Sequence, residues 1–96
     1  MPFAIVLAPE AVEDLSRLKA AVRSSVKSAM ETHLRHEPEK TSRSRIKHLR
    51  GLSRPQYRLR VGDIRVFYDV ADGVVEVLAV VPKSETTSWL AQFGKL

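Results

Sequence analysis

The pattern of apolar and polar residues predicts a strand followed by helix in the first part of the chain. Residues 3–8, FAIVLA, are a short β-branched run closed by Pro9, which is typical of a strand that leads directly into a helix. Apolar residues then recur at intervals of three and four until Pro38, as on an amphipathic helix. One helix of that length would exceed the width of such a small domain, so we expect a bend near residues 19–22 and hence a helical hairpin.

The second half of the chain predicts a three-stranded meander. Residues 37–55 are polar and basic without a sustained period, which indicates a surface connection with a short ordered piece around residues 46–49. Three strand-like runs follow at residues 56–61, 64–71 and 74–81. Gly62-Asp63 and Asp72-Gly73 separate them, and both are two-residue hairpin turns. The meander is therefore antiparallel.

After the meander, Pro82 ends the last strand and a short C-terminal helix is predicted. Trp89, Leu90 and Phe93 have spacings that a helix could bury on one face. The predicted fold is one α+β domain over residues 1–96: an N-terminal strand, a helical hairpin, a three-stranded antiparallel meander joined with the first strand in one sheet, and the C-terminal helix.

The hairpin turns also predict which meander residues share a face. Arg60 should lie opposite Arg65 and Arg58 opposite Phe67, and the second turn places Phe67 opposite Leu78 and Arg65 opposite Val80. One face, predicted to pack on the helices, then carries Tyr57, Leu59, Val61, Val66, Tyr68, Val70, Val75, Val77 and Ala79. The other carries Arg58, Arg60, Arg65, Phe67, Leu78 and Val80.

The three arginines on the second face predict an anion-binding surface. Like charges directly across a ladder destabilise it by up to about 1 kcal/mol, and a bound anion would reverse that repulsion. The planar guanidinium fork suits phosphate, and Phe67 beside it would offer a stacking surface for a base. The alternative is that these arginines are ordinary water-facing residues of an antiparallel sheet.

The charge distribution strengthens the nucleic-acid interpretation. The net charge is +5 and the pI about 10.0, and nine of the sixteen basic residues lie within residues 40–65, against one acid, Asp63. In that segment the RNA-binding candidates beside the meander arginines are Arg43, Arg45, Lys47, Arg50 and Arg54.

Other classes of site receive no support from the composition. The chain has no cysteine, so a disulfide, a thiolate nucleophile and a cysteine metal site are excluded. His33 and His36 are too few to form a metal site, and we expect neither a metal nor a cofactor. No targeting segment and no membrane span is recognisable, so we expect a cytoplasmic protein without a membrane partner.

The stretch KHLRGL, followed by YRLRVGDIRVFYDVADGVVEVLAVV, resembles the RelE/ParE superfamily of toxins. The strand, helical hairpin, K-x-L-x-G approach and RVGDIRVFYDV hairpin come in that family's order over nearly the whole chain. The resemblance implies the toxin of a type II toxin-antitoxin system, neutralised by a cognate antitoxin encoded beside it. The RelE branch implies metal-independent endoribonuclease cleavage of mRNA on the ribosome, which we favour; the ParE branch implies inhibition of DNA gyrase. A degenerate toxin that only binds antitoxin is a third reading.

The resemblance implies that three residues act on the scissile phosphate: Arg58, Arg60 and Arg65. The sequence departs from the family in residues 80–90, VVPKSETTSWL, where Lys83 is the only base and Trp89 or Leu90 stands where an aromatic acid/base is expected. Histidine is the side chain best suited to proton transfer near neutral pH, so His48 is the conventional candidate, unless it is simply a surface histidine. Lys83 is a further catalytic candidate, and Glu85 a weaker one.

Overall fold

The computed structural model describes residues 1–96 and confirms the α+β fold. Its elements are β1 (Ala4–Leu7), α1 (Pro9–Ser16), α2 (Ala20–Leu34), β2 (Ile46–His48), β3 (Tyr57–Val61), β4 (Ile64–Ala71), β5 (Val74–Pro82), a 3-10 turn (Lys83–Glu85) and α3 (Thr86–Phe93). The five strands form one sheet in the order β1-β5-β4-β3-β2, parallel between β1 and β5 and antiparallel elsewhere. None of the helices has both the length and the hydropathy that a membrane span requires.

The predicted bend is present, but it lies at residues 17–19, where the chain leaves α1, and not over residues 19–22. Pro9 occupies the first turn of α1, where its fixed φ suits a helix and its missing N–H costs nothing. The last turn of α1 closes tightly, because the backbone N–H of Leu18 donates to the carbonyl of Leu15. The guanidinium of Arg23 then donates to the carbonyl of Leu18 at 3.0 Å and bridges the bend.

The main core lies between this hairpin and one face of the sheet. The helices contribute Ala11, Leu15, Val26, Met30 and Leu34, and the face predicted to be apolar contributes Leu59, Val66, Tyr68, Val75 and Val77. The predicted pairing of β3 with β4 is confirmed, including Arg60 opposite Arg65 and Arg58 opposite Phe67. The two-residue turns therefore set these faces as expected.

The predicted pairing of β4 with β5 is wrong beyond the middle of the strands. Leu78 is an extra residue in a β-bulge, so Phe67 lies opposite Ala79 and Arg65 opposite Val81. Ala79 consequently leaves the core face and Val80 enters it. The backbone N–H of Val80 donates to Oδ2 of Asp14 on α1 at 2.9 Å, so α1 holds the shifted segment in place.

The opposite face of the sheet is covered in part by α3. Phe67, Ala79 and Val81 form a second, small cluster, on which Leu49, Trp89 and Leu90 pack. Beyond α3, the backbone of Lys95 bridges Arg54, with Lys95 N–H donating to the Arg54 carbonyl at 2.8 Å. This face is therefore not open along its whole length, contrary to the simple meander prediction.

Candidate nucleic-acid interface

Three arginines that we call the arginine cluster, Arg58, Arg60 and Arg65, occupy neighbouring positions on β3 and β4. Arg60 and Arg65 are direct cross-strand partners, because Gly62 adopts a positive φ of 57° and closes the two-residue turn between them. None of the three forms an ion pair with a carboxylate. Burial, followed by the positive charges of Arg65 and Arg60, lowers the pKa of Arg58 from its ordinary value. The cluster is thus a concentration of unbalanced positive charge.

The three arginines differ in how they are held. Arg65 is only 6% exposed, and its Nη1 donates to the carbonyls of Gly62 at 2.8 Å and Ile64 at 3.1 Å. Arg58 is half-buried, and its Nε is buried without a hydrogen-bond partner. Arg60 is exposed. The prediction that all three lie on an open surface is therefore wrong for Arg65, which the turn carbonyls fix in place.

Phe67 is fully buried and does not present a ring face to solvent. The Trp89 ring stacks on it, with ring centroids 4.9 Å apart and an interplanar angle of 5°. The predicted exposed stacking surface is absent because α3, a segment distant in sequence, supplies the partner ring. A base could stack on Phe67 only if α3 left this face.

The RNA-binding candidates that precede β3 differ in whether they form ion pairs within the protein. Arg43, Arg45, Lys47 and Arg50 are all exposed. Lys47 lies opposite Arg58 and so extends the cluster by one strand.

Among the RNA-binding candidates before β3, Arg54 is the one that forms ion pairs. Its Nε lies 3.1 Å from Oδ2 of Asp69 and its Nη2 3.2 Å from Oε1 of Glu76. The predicted RNA-binding role of Arg54 is not supported, because its charge is balanced within the protein. A signal for these ion pairs was present in the sequence: Asp69 and Glu76 are direct cross-strand partners, and two adjacent acids need a basic partner.

The candidates for proton transfer lie in different places. His48 on β2 pairs with Tyr57 on β3, and Lys47 pairs with Arg58. Because successive strand residues point to opposite faces, His48 lies on the helix side of the sheet. Its ring centroid is 5.0 Å from that of Tyr57. Lys83 is exposed beside the β3–β4 turn, where its backbone N–H donates to the carbonyl of Asp63 at 2.7 Å. Of these candidates, Lys83 therefore lies at the same end of the sheet as Arg60 and Arg65, and Glu85 is exposed nearby in the 3-10 turn.

No group of three or more histidine or acidic side chains is arranged to hold a metal ion. His33 and His36 border a small surface cavity of about 290 Å³ together with Glu37 and Lys40. The structure thus places Arg58, Arg60, Arg65 and Lys47 on one face of the sheet, and Lys83 beside the β3–β4 turn. His48 lies on the other face, and Arg54 is paired with acidic side chains.

Comparison with known proteins decides the family. A profile described as "ParE toxin of type II toxin-antitoxin system, parDE" matches residues 5–86. The chain is a RelE/ParE-superfamily toxin. A search of curated proteins gives no match for this toxin.

Solved structures with the same fold include both complexes and free toxin. The RelBE2 toxin-antitoxin complex of Mycobacterium tuberculosis matches at 25% identity and TM-score 0.72, covering 85% of this chain and 99% of that chain. The RelE-RelB complex of Pyrococcus horikoshii OT3 matches at 27% and 0.71, covering 86% and 97%. A mutant of the E. coli toxin RelE in the free state matches at 25% and 0.67, covering 96% and 97%. These neighbours support a cognate antitoxin as the partner of this toxin.

Proposed function

We propose that this toxin inhibits translation by RelE-like, ribosome-dependent cleavage of mRNA, with the arginine cluster on the RNA phosphate. The observation that carries the proposal is the cluster itself: three arginines on one face of the β3–β4 ladder, none of them paired with a carboxylate. Repulsion between like charges weakens the sheet there. A phosphodiester would replace that repulsion by charge-assisted hydrogen bonds.

The three arginines suit different parts of this task. Arg65 is only 6% exposed and its Nη1 is held by two backbone carbonyls, so it would supply a fixed positive charge to the site. Arg58 has an unpartnered Nε, and Arg60 has an exposed side chain. Together they would stabilise the charge that builds on the phosphorus oxygens when a ribose 2′-oxygen attacks.

Proton transfer is the part of the reaction that arginine performs poorly, because its pKa lies far above neutral. Lys83 lies beside the β3–β4 turn, at the same end of the sheet as Arg60 and Arg65. It is therefore the first residue to test as the proton donor to the leaving 5′-oxygen. His48 lies on the other face, and Trp89 and Leu90 pack on the small cluster around Phe67.

A second candidate, ParE-like inhibition of DNA gyrase, is favoured by one specific observation. The imidazole nearest in sequence to the arginine cluster faces the opposite side of the sheet, and a gyrase inhibitor needs no proton carrier. The matching profile also carries the ParE description.

Cell-free translation with the purified toxin separates the two candidates. New mRNA 5′ ends that appear only during translation are expected from the cleavage proposal. Arg60→Ala should reduce their rate of formation by about 10²–10³-fold, the usual loss on removal of one preorganised charge donor. Lys27→Ala is the matched control, because Lys27 is exposed on α2 and its loss also removes one positive charge.

The outcomes distinguish all three readings of the family resemblance. Intact mRNA together with blocked supercoiling by purified gyrase would replace the first candidate by the second. A toxin that affects neither reaction and still binds its antitoxin would be degenerate. Arg65→Ala is a poorer test than Arg60→Ala, since Arg65 is buried and its loss would also free the turn.

A further inference from the structure

The side chain of Arg54, in the loop between β2 and β3, joins two strands of the sheet. Its Nε lies 3.1 Å from Oδ2 of Asp69 on β4, and its Nη2 lies 3.2 Å from Oε1 of Glu76 on β5. The two acids are direct cross-strand partners, so one guanidinium contacts both carboxylates. A single exposed ion pair contributes little to stability, but a planar guanidinium that contacts two carboxylates forms a network with a better fixed geometry.

The backbone of the same residue holds the end of the chain. The N–H of Lys95 donates to the Arg54 carbonyl at 2.8 Å, and the N–H of Ser53 donates to the Lys95 carbonyl at 2.7 Å. Helix α3, which precedes Lys95, has no buried residue of its own. Its attachment to the sheet therefore relies on this backbone bridge together with the packing around the stack of Trp89 on Phe67.

Asp69 also fixes the end of the loop at which β3 begins. Its Oδ1 accepts the N–H of Gln56 at 2.8 Å, and Oε1 of Gln56 accepts the N–H of Val70 at 2.7 Å. The carbonyl of Gln56 accepts the N–H of Leu49 at 2.8 Å, which closes the loop at its base. The loop that carries the exposed Arg50 is therefore tied to β4 through one carboxylate.

This ion-pair network lies on the same face of the sheet as the arginine cluster. On β4, Arg65, Phe67 and Asp69 occupy alternate positions, and the residues between them, Val66 and Tyr68, belong to the main core on the other face. The two acids are therefore next to the proposed RNA site. Without a basic partner they would repel phosphate, and the loop would lose its attachment to the sheet.

We propose that Arg54 is a positioning residue of the RNA site: its ion pairs and its backbone bridge hold in place the loop that presents Arg50 to the RNA. This inference rests on the proposed cleavage of mRNA. It gives Arg54 an indirect role in place of the direct RNA contact that its position in the basic segment predicts, because its charge is balanced within the protein.

Neutralising the two acids tests this role, because positioning and direct attraction predict opposite signs. Asp69→Asn/Glu76→Gln raises the net charge by two, so attraction of RNA alone would strengthen binding. Positioning predicts instead that kcat/KM for mRNA cleavage on ribosomes falls by about tenfold or more. The loss should lie chiefly in KM, because the loop carries RNA-binding candidates and none of the arginine cluster.

A matched control changes the charge equally without touching the network. Glu10→Gln/Glu39→Gln also raises the net charge by two, and both residues are exposed and outside every ion pair of the protein. Its kcat/KM should be unchanged or higher. An equal loss in this control would contradict the positioning role.

NMR of the free toxin examines the same network without RNA. In Asp69→Asn/Glu76→Gln the amides of Ser53 and Lys95 should exchange about tenfold or more faster than in the unsubstituted toxin. The indole signal of Trp89 should shift as its ring moves relative to Phe67. The amides of the main core should keep their protection. Loss of protection throughout the core would overturn the proposal, because the ion pairs would then serve only stability.

The substitution of Arg54 itself separates its shape from its charge. Arg54→Lys keeps the charge but not the planar fork, so positioning predicts a loss of kcat/KM close to that of Arg54→Ala. Near-normal cleavage by Arg54→Lys would assign Arg54 to a simple charge contact and overturn the inference.

The result for the unsubstituted toxin separates this inference from the proposed function. Cleavage by the unsubstituted toxin with an unchanged or raised kcat/KM in Asp69→Asn/Glu76→Gln would overturn the positioning role alone. No cleavage by the unsubstituted toxin would overturn the proposed function and the positioning role with it.

Discussion

The two faces of the sheet show how this small toxin separates stability from charge. The helix face contributes to a cluster of 13 buried residues, whereas the α3 face has a cluster of only 3. The arginine cluster lies on the second face, next to the small cluster. Buried apolar area stabilises the first face, so the second face can carry like charges on paired positions. The proposed RNA-binding site therefore lies on the face that contributes less to the buried core.

The largest effect should come from the helix face. Leu59→Ala removes a fully buried side chain at the centre of the main core and should lower the free energy of unfolding by about 2–5 kcal/mol. Urea unfolding followed by circular dichroism measures it. Leu96→Ala is the control, because Leu96 is 98% exposed and its loss should change stability by less than about 0.5 kcal/mol. Similar values for the two variants would remove the distinction between the faces.

A smaller effect should come from the hydroxyl of Tyr68, also on the helix face. It donates to the carbonyl of Pro38 at 2.6 Å, so Tyr68→Phe leaves a buried acceptor unpaired and should cost about 1–3 kcal/mol. Burial, with the neighbouring Tyr57 and Glu39, raises the pKa of Tyr68 above its ordinary value.

The raised pKa of Tyr68 predicts how stability changes in alkali. The folded state keeps its proton at pH values where the unfolded chain, with a pKa of about 10, releases it. The contribution is thus fully present below about pH 10 and is lost as pH rises toward the folded-state pKa. Unfolding measured across that range should show a steeper decline in the native toxin than in Tyr68→Phe. Identical slopes would contradict the assignment.

The smallest effect, and one of opposite sign, should come from the arginine face. Arg60→Ala relieves the repulsion with Arg65 and should raise stability, by at most about 1 kcal/mol and by less where solvent screens the exposed charge. The gain should shrink at high ionic strength, which thermal unfolding at two salt concentrations measures. Lys27→Ala is again the control. Destabilisation by Arg60→Ala would mean that the cluster supports the fold.

Much of the architecture could be predicted because its determinants are local. Gly62-Asp63 and Asp72-Gly73 set two turns within a few residues, and the bend between α1 and α2 follows from helix length against domain size. From the sequence, β2 is predicted only as a short ordered piece, because its residues pair with β3 residues that lie nine to thirteen positions later.

The candidate site was predictable only in part. Alternation was enough to place Arg58, Arg60 and Arg65 on one face, but it could not show that turn carbonyls hold Arg65. In the run VLAVV every position is apolar, so nothing in the pattern marks Leu78 as the bulge.

By itself, the sequence determined the strand and helix order, the two hairpins, and the concentration of positive charge before and within the meander. Tertiary structure alone decided the environment of each charge and ring: Trp89 covers Phe67, Asp69 and Glu76 neutralise Arg54, and Asp14 holds the shifted strand β5. The physical reason is the separation along the chain over which each effect acts. Turn geometry and side-chain alternation act over a few residues, whereas burial and ion pairing join segments whose meeting only the folded chain defines.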